Sequence, residues 1–383
     1  MNTLTAQEWM TLIHQVFAPD PHTDRALAFL MDVPDDTVPD HPNWRARREM
    51  TIRWVHELQM SKNLHGWEVA CIAYPNVHRN NADLPAVGYL WENSEIPHHE
   101  QELHSCVNLL FSQAYERYSM WVAPTEFSAT APLKLAARMY SNFRAATMPG
   151  FNAAMIPALR LPWNEIHRMV AKLKEWLDAA MGAQLEFHAD DGSVDRLYLD
   201  LRHRTAHASG GVLRENGTAG NLPSGEAYIV PYEGEIQGDP SASEGVLPVE
   251  FNGEIVRYLI TGNRAVDALG TGPMARQERA RLREEPAYGN LAELGFGVLG
   301  TFGITPIGEV LLDEKLGLHI AFGRSDHFGG QVGAANFSSP TAVVHIDRVY
   351  VSRMQPRLLV DCNLVFENEN KPLIRKNNYI IEL

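Results

Sequence analysis

The pattern of apolar runs and turn-forming residues changes near residue 182, and this change constrains the fold more than any single motif does. Before it, helix-like periodic stretches alternate with short apolar runs such as WEVACIAY (67–74) and SMWVAP (119–124). After it, short runs rich in Val, Ile, Phe and Tyr are separated by Gly, Pro, Asn and Asp, as in β-rich domains. We therefore predict an α/β domain on a largely parallel sheet over residues 1–182. A β-rich (α+β) domain over 183–383 is predicted to be the catalytic one.

Local patterns predict several of the elements within these domains. Thr5 followed by Glu8 forms a capping-box pattern before an apolar-periodic stretch. The sequence Asp40-His41-Pro42 is typical of the start of a second helix. A long helix is predicted from about Trp163 to Met181, and the turn residues Asp190-Asp191-Gly192 predict a hairpin.

Charge and composition exclude several classes of function. The formal net charge of −14 argues against nucleic acid and against anionic membranes as partners. No apolar run approaches the roughly 20 residues that span a bilayer. Cys71, Cys106 and Cys362 are far apart and odd in number, which predicts free thiols in a reducing compartment. We therefore expect a cytoplasmic protein that acts on a small-molecule or short peptide substrate.

Two histidines stand out because each interrupts an apolar strand-like run. His345-Ile346-Asp347 lies inside AVVHIDRVYV, and residues two apart on a strand point to the same face. His319 lies in the similar run Leu318-His319-Ile320-Ala-Phe. Polar side chains within such apolar runs are costly to bury unless they are paired or bind a metal. The alternative for His345 and Asp347 is a buried His–Asp pair or a hairpin edge with its polar side in water, and the alternative for His319 is a hydrogen-bonded core histidine.

Two glutamates complete a set of metal-binding residue types. Glu226 follows the turn-like sequence NLPSG, and Glu293 is flanked by Leu and Ala. With His319, His345 and Asp347, they supply two imidazoles and three carboxylates. Three negative charges suit two divalent ions with a bridging hydroxide, as in dinuclear hydrolases. The subset His319, His345 and Asp347 equally suits the facial triad of non-haem iron oxygenases, so the ligand types leave both alternatives open.

Gly295, Gly297 and Gly300 match the dinucleotide fingerprint GxGxxG literally. That motif requires a helix after the glycines, so that the helix N-terminus faces the pyrophosphate. The sequence continues TFGITP, which is a poor helix former. We therefore do not predict a nucleotide site here.

Several phrases of the second half resemble the aminopeptidase T family of metallo-aminopeptidases. They are NLPSGE (221–226), SEG (243–245), NLAELGFG (290–297), DEK (313–315), GLHIAFG (317–323) and HID (345–347), and their order fits over nearly all of residues 183–383. The resemblance implies an N-terminal α/β domain, a β-rich catalytic domain and a homodimer with an enclosed active site. It also implies two divalent metal ions, zinc, cobalt or manganese, on residues matching Glu226, Glu293, His319, His345 and Asp347.

The chain departs from this family at one catalytic position. The family's tyrosine, seven residues after the histidine matching His319, is replaced by Asp326. An ionised carboxylate cannot donate a hydrogen bond to an oxyanion as a phenol does. We predict that Asp326 or the adjacent His327 handles protons or the oxyanion instead.

These observations lead to two functional hypotheses. The first is an aminopeptidase-like hydrolase in which water activated by the metal pair attacks an amide or peptide bond. The second rests on a resemblance to the related dihydroxypyridine dioxygenases, which hold a single iron with two histidines and an aspartate. His345 and Asp347 look similar to the last pair of those ligands, and His319 is the candidate for the first. Under this alternative the chain is an iron(II) ring-cleaving dioxygenase.

Overall fold

The computed structural model describes residues 3–380. Its helices are α1 (Ala6–Phe17), α2 (Pro42–Met60), α3 (Lys62–His65), α4 (Phe111–Arg117), α5 (Thr130–Met139), α6 (Ile156–Leu159), α7 (Trp163–Ala179), α8 (Pro273–Glu284) and α9 (Val310–Asp313). Short 3₁₀ turns cover Glu100–Ser105, Ala153–Met155, Pro286–Gly289, Leu299–Phe302, Glu314–Leu316, Asp326–Phe328 and Ala334–Asn336. Within the described range, no helix is long and apolar enough to span a bilayer.

The strands of the first half are β1 (Ala26–Val33), β2 (Glu68–Pro75), β3 (Val87–Leu90), β4 (Val107–Leu110), β5 (Met120–Ala123) and β6 (Arg144–Thr147). Those that follow are β7 (Gly182–Ala189), β8 (Val194–Asp200), β9 (His207–Ser209), β10 (Thr218–Asn221), β11 (Glu226–Ile229), β12 (Glu244–Phe251), β13 (Glu254–Thr261), β14 (Arg264–Leu269), β15 (Leu291–Gly297), β16 (Leu318–Gly323), β17 (His345–Val349), β18 (Leu358–Val365), β19 (Asn370–Arg375) and β20 (Asn378–Tyr379).

The described residues divide into two compact units that are interleaved along the chain. One comprises the residues up to Glu165 together with Gly211–Ser224, and the other comprises Ile166–Gly210 and the residues from Gly225 onward. This division differs from the single boundary predicted near residue 183, because segment 211–224 contains β10, which pairs with β6. The mixed architecture of two units, one α/β and one β-rich, agrees with the predicted α+β class.

The first unit is built on a seven-stranded sheet in the order β10-β6-β5-β1-β2-β3-β4. The five strands from β10 to β2 are parallel, whereas β3 and β4 pair antiparallel at the edge. Every residue of β1 is buried, as expected for a central strand of a parallel sheet covered on both faces. The predicted capping box closes the start of α1, where Thr5 and Glu8 bond reciprocally.

The second unit contains two antiparallel sheets. The larger has the order β14-β13-β12-β8-β7-β18-β19-β20, and the smaller has the order β17-β16-β15-β11-β9. Phe322 of the smaller sheet packs on Tyr258 of the larger, with ring centroids 5.0 Å apart. Alternate residues of β16 therefore point toward the core between the sheets, and the others point to the opposite face. That opposite face of the smaller sheet carries the candidate site.

Candidate metal centre

Four neighbouring strands bring the predicted ligands to one face of the smaller sheet. In the register of β15, β16 and β17, Glu293 lies opposite Ala321, which lies opposite Asp347. His319 and His345 are two residues from Ala321 and Asp347 respectively, so they share that face. Glu226 begins β11, the neighbour of β15 on its other side. Thus the five residue positions predicted from sequence converge, and their role as ligands remains a prediction.

Two of the glycines in the literal GxGxxG sequence make room for this cluster. A Cβ atom on Gly295 would lie 2.0 Å from Nε2 of His319, which faces it across the two strands. A Cβ on Gly297 would lie 2.2 Å from the backbone carbon of Lys315. These glycines therefore allow close packing beneath the site, and β15 continues into a 3₁₀ turn instead of a nucleotide-binding helix.

Both histidines are oriented with one nitrogen toward the backbone and the other toward the carboxylates. Nδ1 of His345 is 2.8 Å from the carbonyl oxygen of Arg324, and Nδ1 of His319 is 3.2 Å from that of Gly317. Each Nδ1–H can donate to its carbonyl, which leaves Nε2 directed into the cluster. This arrangement is the usual one for histidines that bind metals through Nε2.

Glu293 lies at the centre of the cluster. Its Oε1 is 3.2 Å from Nε2 of His319, and its Oε2 is 3.2 Å from Nε2 of His345. Nε2 of His345 is 3.7 Å from Asp347 Oδ1, and Nε2 of His319 is 3.6 Å from Glu226 Oε2. The donor atoms form two overlapping groups, Glu226-Glu293-His319 and Glu293-His345-Asp347. Two ligands at right angles on one ion lie about 3 Å apart if each bond is about 2.1 Å long, so these separations suit coordination.

The ionisation of these groups supports the same interpretation. Burial lowers the pKa of His319, but Glu293 and Glu226 outweigh it and raise that pKa to about 10. Burial is likewise outweighed at His345, where Glu293 and Asp347 raise the pKa to about 9. The hydrogen bonds from both imidazoles overcome the effect of burial on Glu293 and hold its pKa well below the usual range. Two imidazole protons thus supply positive charge that a divalent cation would replace.

A buried lysine, to which the sequence analysis gave no role, contacts one end of the cluster. Nζ of Lys315 is 2.5 Å from Glu226 Oε1 and also contacts the carboxylate of Glu314. Burial raises the pKa of Glu226 to about 7, and the charge of Lys315 opposes that rise. The predicted charge balance of three carboxylates against two ions omitted this ammonium group and therefore has to be revised.

The remaining oxygen of Glu226 supplies a direct test of whether a metal fits. Oε2 of Glu226 is buried and has no hydrogen-bond partner among the described residues. An unpaired buried carboxylate oxygen is costly, and here it faces an imidazole nitrogen at 3.6 Å. The orphaned oxygen, the two oriented imidazoles and the central carboxylate together fit a divalent metal ion.

Aromatic rings surround the more exposed end of the cluster. The Phe328 ring lies 5.6 Å from the His345 ring and 4.8 Å from the Tyr228 ring, between centroids. The imidazole of His207 stacks on Tyr228 at 5.1 Å, and its Nε2 is 3.0 Å from the carbonyl oxygen of Phe328. Phe328, Tyr228 and His345 are each partly exposed, whereas His319 and Glu293 are buried. We call Tyr228, Phe328 and His345 the aromatic rim.

The two predicted catalytic residues lie in different surroundings. The carboxylate of Asp326 is bound by Arg324, with Nε to Oδ1 at 2.5 Å, and this hydrogen bond lowers its pKa. The His327 ring is 5.3 Å from the His345 ring. Burial and then the charge of His345 lower the pKa of His327 to about 4, so His327 is a neutral imidazole at pH 7. The structure therefore brings His327 beside a predicted ligand, while Asp326 faces an arginine.

Sequence reasoning missed Lys315 and two members of the aromatic rim, Tyr228 and Phe328. The phrase DEK (313–315) contributed to the family resemblance, but no local pattern indicated that its lysine is buried against Glu226, 89 residues away. Phe328 follows His327 in a turn-rich segment, and only its contacts with β11 and β17 reveal its position. The one available sign was that Lys315 stands four residues before His319, and this sign is a weak one.

Comparisons with known proteins reveal the fold and leave the family open. No family model matches the chain, and no curated protein matches its sequence. Among solved structures, the chain is similar to a 2,5-dihydroxypyridine dioxygenase from Pseudomonas putida, with a TM-score of 0.60 and 14% sequence identity. The similarity covers 98% of this chain and 97% of that protein. The chain therefore has the same overall fold as an enzyme related to the predicted alternative, and membership of the aminopeptidase T family remains a prediction.

Proposed function

We propose that this protein is a metal-dependent dioxygenase that cleaves a hydroxylated aromatic ring, with one iron(II) ion held by His319, His345 and Asp347. Glu293, which contacts both imidazoles, is proposed as a further donor. The observation that carries this proposal is the aromatic rim, which borders the ligands at their partly exposed end. Aromatic rings attract one another by offset stacking or edge contacts when their centroids lie about 4.5–7 Å apart, so Tyr228 and Phe328 favour an aromatic substrate.

The donor set supports iron chemistry because it leaves positions free. Two imidazoles and a carboxylate on one face of an ion form the triad of non-haem iron(II) oxygenases. Iron(II), when bound, would supply open coordination positions for substrate and dioxygen, and the electrons that reduce dioxygen would come from the ring that is cleaved. The protein supplies the orientation of the ligands, since each Nδ1 is fixed by a backbone carbonyl.

The structural similarity supports the same class of reaction. Over nearly the full length of both chains, the fold matches that of a dioxygenase whose substrate is a dihydroxypyridine. At 14% identity this similarity carries the fold, and the activity is our inference from the site. We propose a dihydroxylated aromatic or heteroaromatic ring as the substrate class.

The residues of the aromatic rim and their neighbours have separate proposed roles. Phe328 and Tyr228 hold the ring of the substrate against the metal face. His327, whose ring lies 5.3 Å from that of His345, is proposed to accept a hydrogen bond from a substrate hydroxyl group as a neutral imidazole. His207 holds the backbone of Phe328 in place through its carbonyl oxygen. Asp326 keeps Arg324 oriented, and the carbonyl of Arg324 fixes His345.

The test is oxygen uptake by protein reconstituted anaerobically with iron(II). A panel of dihydroxypyridines and dihydroxybenzenes is compared with a panel of dipeptides and amides, whose hydrolysis is followed by release of amines. The proposal expects substrate-dependent oxygen uptake that is lost in His345→Ala and kept in His188→Ala, a partly exposed histidine of the same unit. Amine release without oxygen uptake would refute it.

The aminopeptidase-like hydrolase remains the second candidate, and one observation favours it. Glu293 belongs to both ligand groups, each oxygen facing a different imidazole, as a carboxylate bridging two ions would. This candidate requires two ions per chain and hydrolysis of an amide or peptide bond. Metal stoichiometry therefore separates the two proposals before any substrate is known.

A further inference from the structure

We propose that Lys315 acts as a fixed cation in place of a second metal ion, so that the centre binds one divalent ion per chain. The inference rests on the proposed metal centre and adds the residue that sets its stoichiometry. It concerns the Glu226 end of the cluster, where the ammonium group lies within the ligand set that a dinuclear centre would use.

The contact between Lys315 and Glu226 is buried and direct. Nζ lies 2.5 Å from Oε1, and the two side chains are 3% and 8% exposed. A lysine is rarely buried so completely without a partner charge. Because Gly297 has no side chain, the Lys315 backbone packs closely against β15, and the two carboxylates of Glu226 and Glu314 hold the ammonium group at the end of the side chain.

The ammonium group of Lys315 would compete with a metal ion for Glu226. An ion bound by the orphaned Oε2 of Glu226 would share one carboxylate with the ammonium of Lys315. Two cations on one buried carboxylate repel each other strongly where the dielectric is low. Within the described residues, the ion-pair partners of Glu293, His345 and Asp347 are one another and His319, with no lysine or arginine among them. The single ion is therefore expected on the proposed ligands His319, His345 and Asp347, with Glu293, and not on Glu226.

Lys315 reduces the positive charge that bound ions have to supply. Glu226, Glu293 and Asp347 carry three negative charges, which Lys315 and a single divalent ion neutralise. Glu314 adds a fourth negative charge at the more exposed side of Lys315, with 18% of its side chain exposed. With Glu314 counted, one divalent ion leaves one negative charge, and two ions need a bound hydroxide to reach neutrality.

The experiment measures bound Mn²⁺ in the full-length chain, purified without a metal-affinity tag, stripped with chelator and reloaded. Elemental analysis after gel filtration gives the stoichiometry, and electron paramagnetic resonance distinguishes an isolated ion from a coupled pair. We expect about one ion in the wild type and about two in Lys315→Met, since paired ions in such centres lie roughly 4 Å apart and couple magnetically. Lys174→Met, which removes a partly exposed lysine of the same unit, is the matched control and keeps the wild-type value.

Lys315→Gln, a second neutral variant whose amide can still hydrogen-bond Glu226, should also bind about two ions and keeps the test decisive if Lys315→Met folds poorly. Lys315→Arg retains the positive charge and should keep one ion. The double variant Lys315→Met with Glu226→Gln removes both charges, and it should also keep one ion because the second position has lost its carboxylate.

The outcomes separate this inference from the proposed function. Two ions in the wild type, or one ion in a folded Lys315→Met, overturns the role of Lys315 while leaving a metal centre intact. No bound ion in any form overturns both proposals. One ion in the wild type and two in Lys315→Met establishes the role of Lys315, even if the iron-loaded protein takes up no oxygen and the dioxygenase proposal fails.

Discussion

Two buried acidic residues, one in each unit, occupy similar sequence settings and have very different surroundings. Asp32 lies in the apolar strand β1, ALAFLMDV, and Glu293 lies in the apolar strand β15, LAELGFG. Asp32 accepts hydrogen bonds from the backbone amides of Glu126 and Phe127 and from the indole of Trp44. Glu293 contacts two imidazoles.

The difference shows which buried carboxylates can serve chemistry. Amide and indole N–H groups do not lose their protons in the pH range of folded proteins, so the donors to Asp32 are permanent and need no ion. Imidazoles can lose their protons and bind a metal through the same nitrogens. A buried carboxylate among permanent donors is therefore structural, whereas one among imidazoles can exchange protons for a cation.

The largest expected effect follows from removing the central carboxylate. Glu293→Gln should weaken Mn²⁺ or Fe²⁺ binding by more than about 100-fold, because a direct donor matters more than the outer groups whose loss costs 10–100-fold. Calorimetric titration of the stripped protein measures this affinity. Asp32→Asn is the matched control and should bind metal as the wild type does. Equal affinities in Glu293→Gln and the wild type would remove Glu293 from the ligand set.

The effect of Asp32→Asn should appear in the stability of the protein and not in its metal affinity. Asp32→Asn replaces an acceptor of several N–H groups with a side chain that is half donor, and we expect a loss of about 2–4 kcal/mol in the free energy of unfolding. Denaturant titration of the stripped protein measures it. Glu278→Gln, another buried acidic residue that accepts from Tyr258 and Tyr288, provides a comparison of the same kind. A change below about 0.5 kcal/mol at Asp32 would contradict the structural role.

The pH dependence of metal binding tests whether the imidazoles that contact Glu293 exchange their protons for an ion. In the absence of metal, the pKa values of His319 and His345 are raised to about 10 and about 9, so both are protonated at pH 7. Metal binding must release these protons, and affinity should therefore increase by about 10- to 100-fold per pH unit between pH 6 and 8. Proton release in buffers of different ionisation enthalpy counts the protons directly. A pH-independent affinity would show that the imidazoles are not displaced by the ion.

His319 and His345 should also make the stability of the metal-free protein depend on pH. A folded-state pKa raised above the ordinary value of 6.5 stabilises the protein below that pH, and the contribution is lost as pH rises through about 9–10. We therefore expect the stripped protein to lose stability between pH 7 and 10, and bound metal to restore it. Thermal unfolding with and without Mn²⁺ measures the difference, and identical pH profiles would argue against the metal centre.

The smallest expected effect concerns the aromatic rim. Phe328→Ala should raise KM for the aromatic substrate by about tenfold, since aromatic pairs contribute roughly 0.5–1.5 kcal/mol beyond the area they bury. Metal content should stay at the wild-type value because Phe328 donates no ligand. Phe328→Leu should recover part of the loss through its apolar surface. An unchanged KM with a reduced metal content would instead give Phe328 a structural role at His345.

The sequence by itself determined the candidate ligands and most of the elements that hold them. The spacing of His345 and Asp347 places both on one strand face, because side chains alternate with a period of two. Apolar periodicity and capping residues likewise gave α1, α7 and the β7–β8 hairpin near their observed bounds. These features depend on neighbours within a few residues, which the sequence displays directly.

Only the tertiary structure decided how these residues are paired. Asp32 and Glu293 have the same local appearance, and what separates them is the approach of donors from 94 and from 26 residues away. The ammonium of Lys315 reaches Glu226 across 89 residues, and this contact revises a charge balance that counted acidic residues alone. Electrostatic energy depends on distance in space and on burial, neither of which is written in the local sequence, so the contact between Lys315 and Glu226 could be found only from the fold.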